Sequence, residues 1–185
     1  MNILDKTFYR RETVEVARSL LGKKLVRLID GCELSGMIAE TEAYCGQADS
    51  ACHAHRGKTK RNAVMFGEPG HAYVYFTYGM HYMLNLVTEG VENPCAVLIR
   101  AVNPISGVEA MEARRKRKGS DLTNGPAKLC QAFCIDKSLN GWDLTCGKEL
   151  WAEDYRAIPG ESIIATPRIG IDYAEPKDRN ALWRF

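Results

Sequence analysis

Lys24 to Ile29 (KLVRLI), Asp30-Gly31, and Cys32 to Tyr44 (CELSGMIAETEAY) decide the fold. Asp-Gly between two apolar-rich runs signals a two-residue hairpin turn, because such turns need positive φ at their central residues. Two antiparallel strands follow from it. In the second, strict alternation puts Ile38, Glu40, Glu42 and Tyr44 on one face and Met37, Ala39, Thr41 and Ala43 on the other. Two carboxylates beside an aromatic, backed by small apolar residues, fit either a solvated polar face, where charged side chains usually lie, or a site.

Outward from this hairpin, Arg11 to Leu21 carries Val14, Ala17, Leu20 and Leu21 at helical spacing, with Gly22 as a stop. Pro69-Gly70 introduces a second hairpin, His71 to Thr88, with two aromatic-rich arms and Gly79 at the turn. Pro94 precedes a strand from Cys95 to Val102. Ser106-Gly107-Val108-Glu109 matches a capping box, which predicts a helix from Gly107 towards Arg117 with a cationic last turn. Asn124-Gly125-Pro126 starts another helix, running to Phe133. Short strands and loops follow Asp143. The expected class is α+β: a single compact domain over residues 1–185, with a curved antiparallel β-sheet, flanking helices and a protruding β-hairpin.

The 185 residues, 45% of them hydrophobic, suffice for one core and not for two ordinary domains. A net charge of +2 does not announce a nucleic-acid binder. Its distribution says more: no acidic residue falls between Asp49 and Glu68, where Arg56, Lys58, Lys60 and Arg61 crowd, and Arg114 to Lys118 form a second basic run. The seven cysteines, odd in number and without a repeated CxxC, fit neither a disulfide framework nor a zinc ribbon. No run approaches the roughly 20 apolar residues of a membrane span. The expectation is a soluble cytoplasmic protein, nucleoid-associated if prokaryotic.

In the second hairpin His71, Tyr73, Tyr75 and Thr77 share a face, and His81, Met83, Asn85 and Val87 alternate on the returning arm. Tyrosines in strands serve packing as readily as binding. A tyrosine at the tip is harder to assign to packing: Tyr78-Gly79-Met80 puts a wedge on a narrow turn, the kind of element that slides between base steps. Taken in order, Glu40-Thr41-Glu42-Ala43-Tyr44, Met65-Phe66 through Pro69-Gly70, Tyr73-Val74-Tyr75, Tyr78-Gly79-Met80, Leu98-Ile99-Arg100-Ala101 and Asn124-Gly125-Pro126-Ala127-Lys128-Leu129-Cys130 resemble the alkyladenine (3-methyladenine) DNA glycosylase family. The likeness extends from about Leu20 through Arg168-Ile169-Gly170.

The resemblance implies a monofunctional enzyme of base excision repair. Such an enzyme flips alkylated or deaminated purines (3-methyladenine, 7-methylguanine, hypoxanthine, ethenoadenine) from damaged double-stranded DNA and hydrolyses the N-glycosidic bond. It implies Glu42 as the base that activates water and Arg100 as the residue positioning that water and the nucleotide. Tyr44, His53 and Tyr75 would enclose the flipped purine, and Asn85 would oppose the exocyclic amine of guanine. Tyr78 would intercalate beside Met80, and Lys58, His81, Lys128 and Lys137 would meet the DNA backbone. No cofactor, metal or membrane is implied, and a monomer is expected of a protein that scans DNA.

The chemistry gives these residue types an independent reason. Glycosidic cleavage passes through an oxocarbenium-like sugar, so one ionised carboxylate both stabilises developing positive charge and activates water. Cationic alkylated bases stack well on electron-rich rings. Alternatives stand beside this: each lysine also fits a solvated surface charge, and the pocket and wedge would equally serve a silent damage-binding protein. His53 and His55 with Glu40 and Glu42 match no zinc spacing.

Overall fold

The computed structural model describes residues 2–185. Two short helices open it, α1 (Lys6–Tyr9) and α2 (Thr13–Ser19). The Asp5 carboxylate accepts from the Phe8 amide and the Glu12 carboxylate from the Glu15 amide, taking up donors that a first turn leaves free. The helix expected over Arg11–Leu21 is shorter because Glu12 is its cap rather than part of it. Gly22, at φ 81°, ends the segment; a Cβ there would lie 2.3 Å from the Arg156 carbonyl oxygen, so no other residue fits.

β1 (Lys24–Ile29) and β2 (Cys32–Tyr44) form the expected hairpin, with Asp30 at φ 49° and Gly31 at φ 79°. The second hairpin, β3 (Ala72–Thr77) and β4 (His81–Thr88), turns through Tyr78 at φ 51° and Gly79 at φ 68°. β5 (Cys95–Ser106) runs past its expected end at Val102, because β2 is long enough to pair with it as far as Ser35 opposite Ser106. That pairing removes the expected capping box: Ser106 stays in the strand, and α3 (Val108–Arg115) is capped by the left-handed Gly107 with no side-chain bond. α4 (Pro126–Ala132) has proline at its start as expected, and β6 (Leu150–Glu153) and α5 (Pro176–Arg179) complete the chain.

The six strands pair antiparallel in one curled sheet of order β3-β4-β5-β2-β1-β6. Helices cover one face. There Val16 and Ala17 of α2, Met111 of α3, and Leu129 and Ala132 of α4 pack on Leu25, Ile38, Ala43, Leu84, Leu86, Val97 and Ile99. Each large apolar side chain so buried contributes about 1.5–3 kcal/mol, against about 0–1 kcal/mol for an exposed ion pair. The apolar layer, and not the surface charges, therefore holds the helices to the sheet. On the opposite face the loops after β2 bring Cys52, Ala54, Met65 and Phe66 over Tyr73, Val87 and Ala96, with Tyr44 and Tyr75 partly buried beside them.

Strict alternation fails in one place along β2. Ile38 pairs with Val102 and Glu40 with Ala101, so Ala39 is an extra residue; Glu40 pairs with Ala101 and Thr41 with Ile99, so Arg100 is extra on the other strand. Each bulge lets two neighbours lean to the same side. Ile38 accordingly lies in the helix-side core with Ala43, and not on the face of Glu42 as alternation predicts.

Candidate active site

Tyr73 pairs with Asn85, Asn85 with Leu98 and Leu98 with Glu42. Residues directly opposed across a sheet point to the same side. Four strands thus deliver a tyrosine, an amide, a leucine and a carboxylate to one row on the face away from the helices. Tyr75 opposite Met83 and Tyr44 opposite Ala96 lie in neighbouring rows. Between these rows and the loop carrying His53 lies a cavity of about 300 Å3, at the small end of ligand pockets, which span roughly 300–1,000 Å3. Of the residues expected from sequence, Tyr44, His53, Tyr75, Asn85 and Arg100 line it, together with Tyr78.

Glu42 is fully buried just behind this wall. Its Oε1 accepts from the Ile169 amide at 2.8 Å and faces Nη1 of Arg100 at 3.2 Å, while its Oε2 accepts from the Tyr44 hydroxyl at 2.9 Å. A carboxylate offers about four lone-pair sites. Two are engaged by hydrogen bonds and Arg100 adds an ion pair at Oε1, which leaves capacity for a further donor such as water. Arg100 also donates through Nε to Oε1 of Glu40 at 3.1 Å, and Arg184 reaches the same oxygen at 2.8 Å. The guanidinium of Arg100 is therefore fixed between two carboxylates, with 12% of its side chain exposed.

The cavity walls are aromatic. His53 and Tyr75 meet edge to face with centroids 4.5 Å apart, and Nδ1 of His53 shares a 3.0 Å hydrogen bond with the Tyr73 hydroxyl. Desolvation of the His53 ring, then the nearby Arg61 charge, pushes its pKa down to about 4. The imidazole is neutral at pH 7, with one nitrogen donating and one accepting. Burial, with the Glu42 carboxylate next, pushes the Tyr44 hydroxyl well up, and burial does the same to Tyr75. Both stay protonated donors. Asn85 donates through Nδ2 to the Tyr73 carbonyl at 3.2 Å, so its side chain has a set orientation in the floor. The Cys52 thiol, pushed up to about 11 chiefly by burial, is unreactive at neutral pH.

The remaining residues expected from sequence, Met80, His81, Lys58, Lys128 and Lys137, lie away from the cavity lining. Tyr78 and Met80 stand out at the hairpin tip, 82% and 69% exposed, with His81 beginning the returning strand. Lys58 pairs with Glu92 at 3.1 Å and Lys128 with Asp121 at 2.5 Å, while Lys137 begins a 3-10 turn. The structure also adds residues that sequence reasoning passed over. The Ile169 amide, the rim formed by Ile169 to Ile171 and Tyr173, and Arg61 all belong to the site. A backbone donor leaves no mark in a sequence, and Arg61 was hidden in a run of surface cations.

Residues 7–185 match the methylpurine-DNA glycosylase family profile. The chain belongs to this family. Three relatives given the provisional name 3-methyladenine DNA glycosylase are similar along almost their whole length. The one from Methanocella arvoryzae is 52% identical over 187 residues, covering 100% of this chain and 92% of the relative. That from Carboxydothermus hydrogenoformans is 52% identical over 92% of this chain and 89% of its own. The relative from Natranaerobius thermophilus is 47% identical over 98% and 93%. As a DNA glycosylase, this protein acts on damaged DNA and is a hydrolase of the bond between base and sugar. No helix among the described residues is long and apolar enough to cross a membrane.

Proposed function

We propose that this glycosylase is monofunctional and excises 3-methyladenine, 7-methylguanine, hypoxanthine and ethenoadenine from duplex DNA, turning each base into the aromatic cavity and leaving an abasic site. The observation that carries the reading is the buried Glu42 carboxylate, held on three sides at the wall of a purine-sized aromatic pocket with capacity left for one water.

In this mechanism Glu42 takes a proton from that water, whose oxygen bonds to the anomeric carbon as the glycosidic electron pair leaves with the base. An N-alkylated purine is already cationic and departs as a neutral base. Neutral hypoxanthine and ethenoadenine must take up a proton on leaving, and the one released by the attacking water balances the step. Arg100 holds the carboxylate and the water in line. Tyr44, His53 and Tyr75 enclose the base, where the electron-rich tyrosine faces favour a cationic purine. Asn85 meets the exocyclic amine of guanine and excludes it.

Tyr78, with Met80, fills the place the base vacates. Lys58, His81, Lys128 and Lys137 meet the phosphates, for which Lys58 and Lys128 exchange their carboxylate partners. Water rather than an amine nucleophile is favoured because, among the described residues, no lysine lines the cavity. The chain works as one domain and as a monomer.

The test is release of free purine from duplexes holding one hypoxanthine or ethenoadenine and from methylated DNA, with chelator present and Glu42→Gln alongside. Release by the wild type and none by the variant, with lesion binding retained, is expected. Tight binding without release from any lesion would replace this reading with that of a damage sensor, and an active Glu42→Gln enzyme would remove Glu42 as the base.

A further inference from the structure

Arg168 lies outside the cavity, and its side chain is wholly buried. Its guanidinium is bidentate with Asp49, at 2.5 Å and 2.9 Å, and also donates to the carbonyls of Ala43 at 2.9 Å and Asp178 at 3.2 Å. Its Cζ also lies over two aromatic rings, 4.7 Å from the centroid of Tyr44 and 5.0 Å from that of Trp183. A buried ion pair is a weak source of stability, because desolvation opposes what the charges gain. A guanidinium that uses two carboxylate oxygens, two carbonyls and two aromatic rings fixes geometry instead.

What it fixes is the support of Glu42. The amide that holds Oε1 belongs to Ile169, the next residue in the chain, and the hydroxyl that holds Oε2 belongs to Tyr44, whose ring the guanidinium covers. The Ala43 carbonyl tethers the strand between Glu42 and Tyr44 to the same group. Asp49, the partner carboxylate, accepts from the amides of Cys45 and Ala51 and so shapes the loop that leads to His53.

We propose that Arg168 is a positioning residue for the base-release step, aiming the Glu42 carboxylate through the Ile169 amide on one oxygen and the Tyr44 hydroxyl on the other. This rests on the reading of Glu42 as the general base. Arg168 touches neither base nor sugar. Its loss acts on the step that needs an aligned carboxylate more than on capture of the lesion.

The experiment compares Arg168→Lys with wild type and with Glu42→Gln, using single-turnover release of hypoxanthine at saturating enzyme, lesion-duplex affinity, and titration of the active fraction. Lysine keeps the charge but cannot make the bidentate contact with Asp49 while also reaching both carbonyls and both rings. The expected result is a fall of about tenfold or more in the rate per active molecule, the scale of loss that small misplacements cause, with affinity within about threefold. The double variant Arg168→Met with Asp49→Asn leaves no lone buried charge and takes the place of Arg168→Lys if that protein does not fold. It should give the same split between rate and affinity.

A wild-type rate per active molecule, or equal losses in rate and affinity, with Glu42→Gln inactive, would overturn the positioning role and leave the proposed function standing. Wild-type release by Glu42→Gln would overturn the function reading, and the positioning role with it.

Discussion

Ala39 on β2 and Arg100 on β5 are the extra residues of two opposed bulges, so the strands regain at Thr41–Ile99 the register they had at Ile38–Val102. The pair of bulges is local. It re-aims side chains without moving the sheet, and Arg100 thereby meets Glu40 at 3.1 Å and Glu42 at 3.2 Å at once. An ammonium is a point charge on a flexible stem and cannot span both carboxylates in that fixed geometry. Arg100→Lys should lower single-turnover base release by about one to two orders of magnitude, the equivalent of losing a charged hydrogen bond worth about 1.5–3 kcal/mol. A rate within about twofold of wild type would show that the two-carboxylate contact plays no part in the chemistry.

Tyr78 sits at φ 51° in a turn whose other central residue is Gly79, a position that bulky side chains rarely adopt. Asparagine tolerates it, and Asn-Gly is the favoured pair for this turn. The tyrosine is therefore kept against local preference. Tyr78→Asn should raise the thermal midpoint slightly while lowering kcat/KM on lesion duplexes by about tenfold or more, with a smaller loss on single-stranded substrate, where no vacancy in a stack needs filling. If duplex and single strand lose activity equally, Tyr78 is not acting as a wedge.

Where local chemistry decides an outcome, the sequence was a good guide. Asp30-Gly31 and Tyr78-Gly79 set both hairpins, Pro126 opened its helix, and alternation in β3 and β4 put Tyr75 and Asn85 on the cavity side. Where a partner strand decides it, the pattern misled. Ile38 falls on the core side because of a bulge, and Ser106 is held in β5 by Ser35 rather than capping a helix. The support of Glu42 was illegible for another reason. Its donors include a backbone amide 127 positions away and a hydroxyl whose ring lies under Arg168, which pairs with Asp49 119 positions away.

Asn85 is buried, and its bond to the Tyr73 carbonyl stops it from swinging out of the floor. If this side chain excludes guanine by meeting its exocyclic amine, shortening it opens room for that amine at little cost to hypoxanthine. Asn85→Ser should raise the ratio of guanine-type to hypoxanthine release by about tenfold, the scale of discrimination a single steric contact supplies. Competition between 7-methylguanine and hypoxanthine duplexes in one tube reads that ratio directly, and an unchanged ratio would assign the exclusion elsewhere.

His53 makes stability depend on pH in a window of its own. Its pKa is lowered from 6.5 to about 4, by desolvation and then by Arg61, so between these values the unfolded chain binds a proton that the folded one does not. Stability must then fall as pH drops from about 6.5 to about 4 and change no further through this group below that. Carboxylates held below their ordinary value of 3.8, such as Asp121 beside Lys128 and Asp136 beside Ser138, lose their contribution only at lower pH. The two effects separate on the pH axis. His53→Gln should flatten the decline in thermal midpoint between pH 7 and pH 5. The difference should be a few degrees, or about 1 kcal/mol once solvent screening of the partly open ring is allowed for. Equal declines in variant and wild type would mean that the His53 ring is solvated enough to titrate normally, and that it faces a bound base as an imidazolium at mildly acid pH.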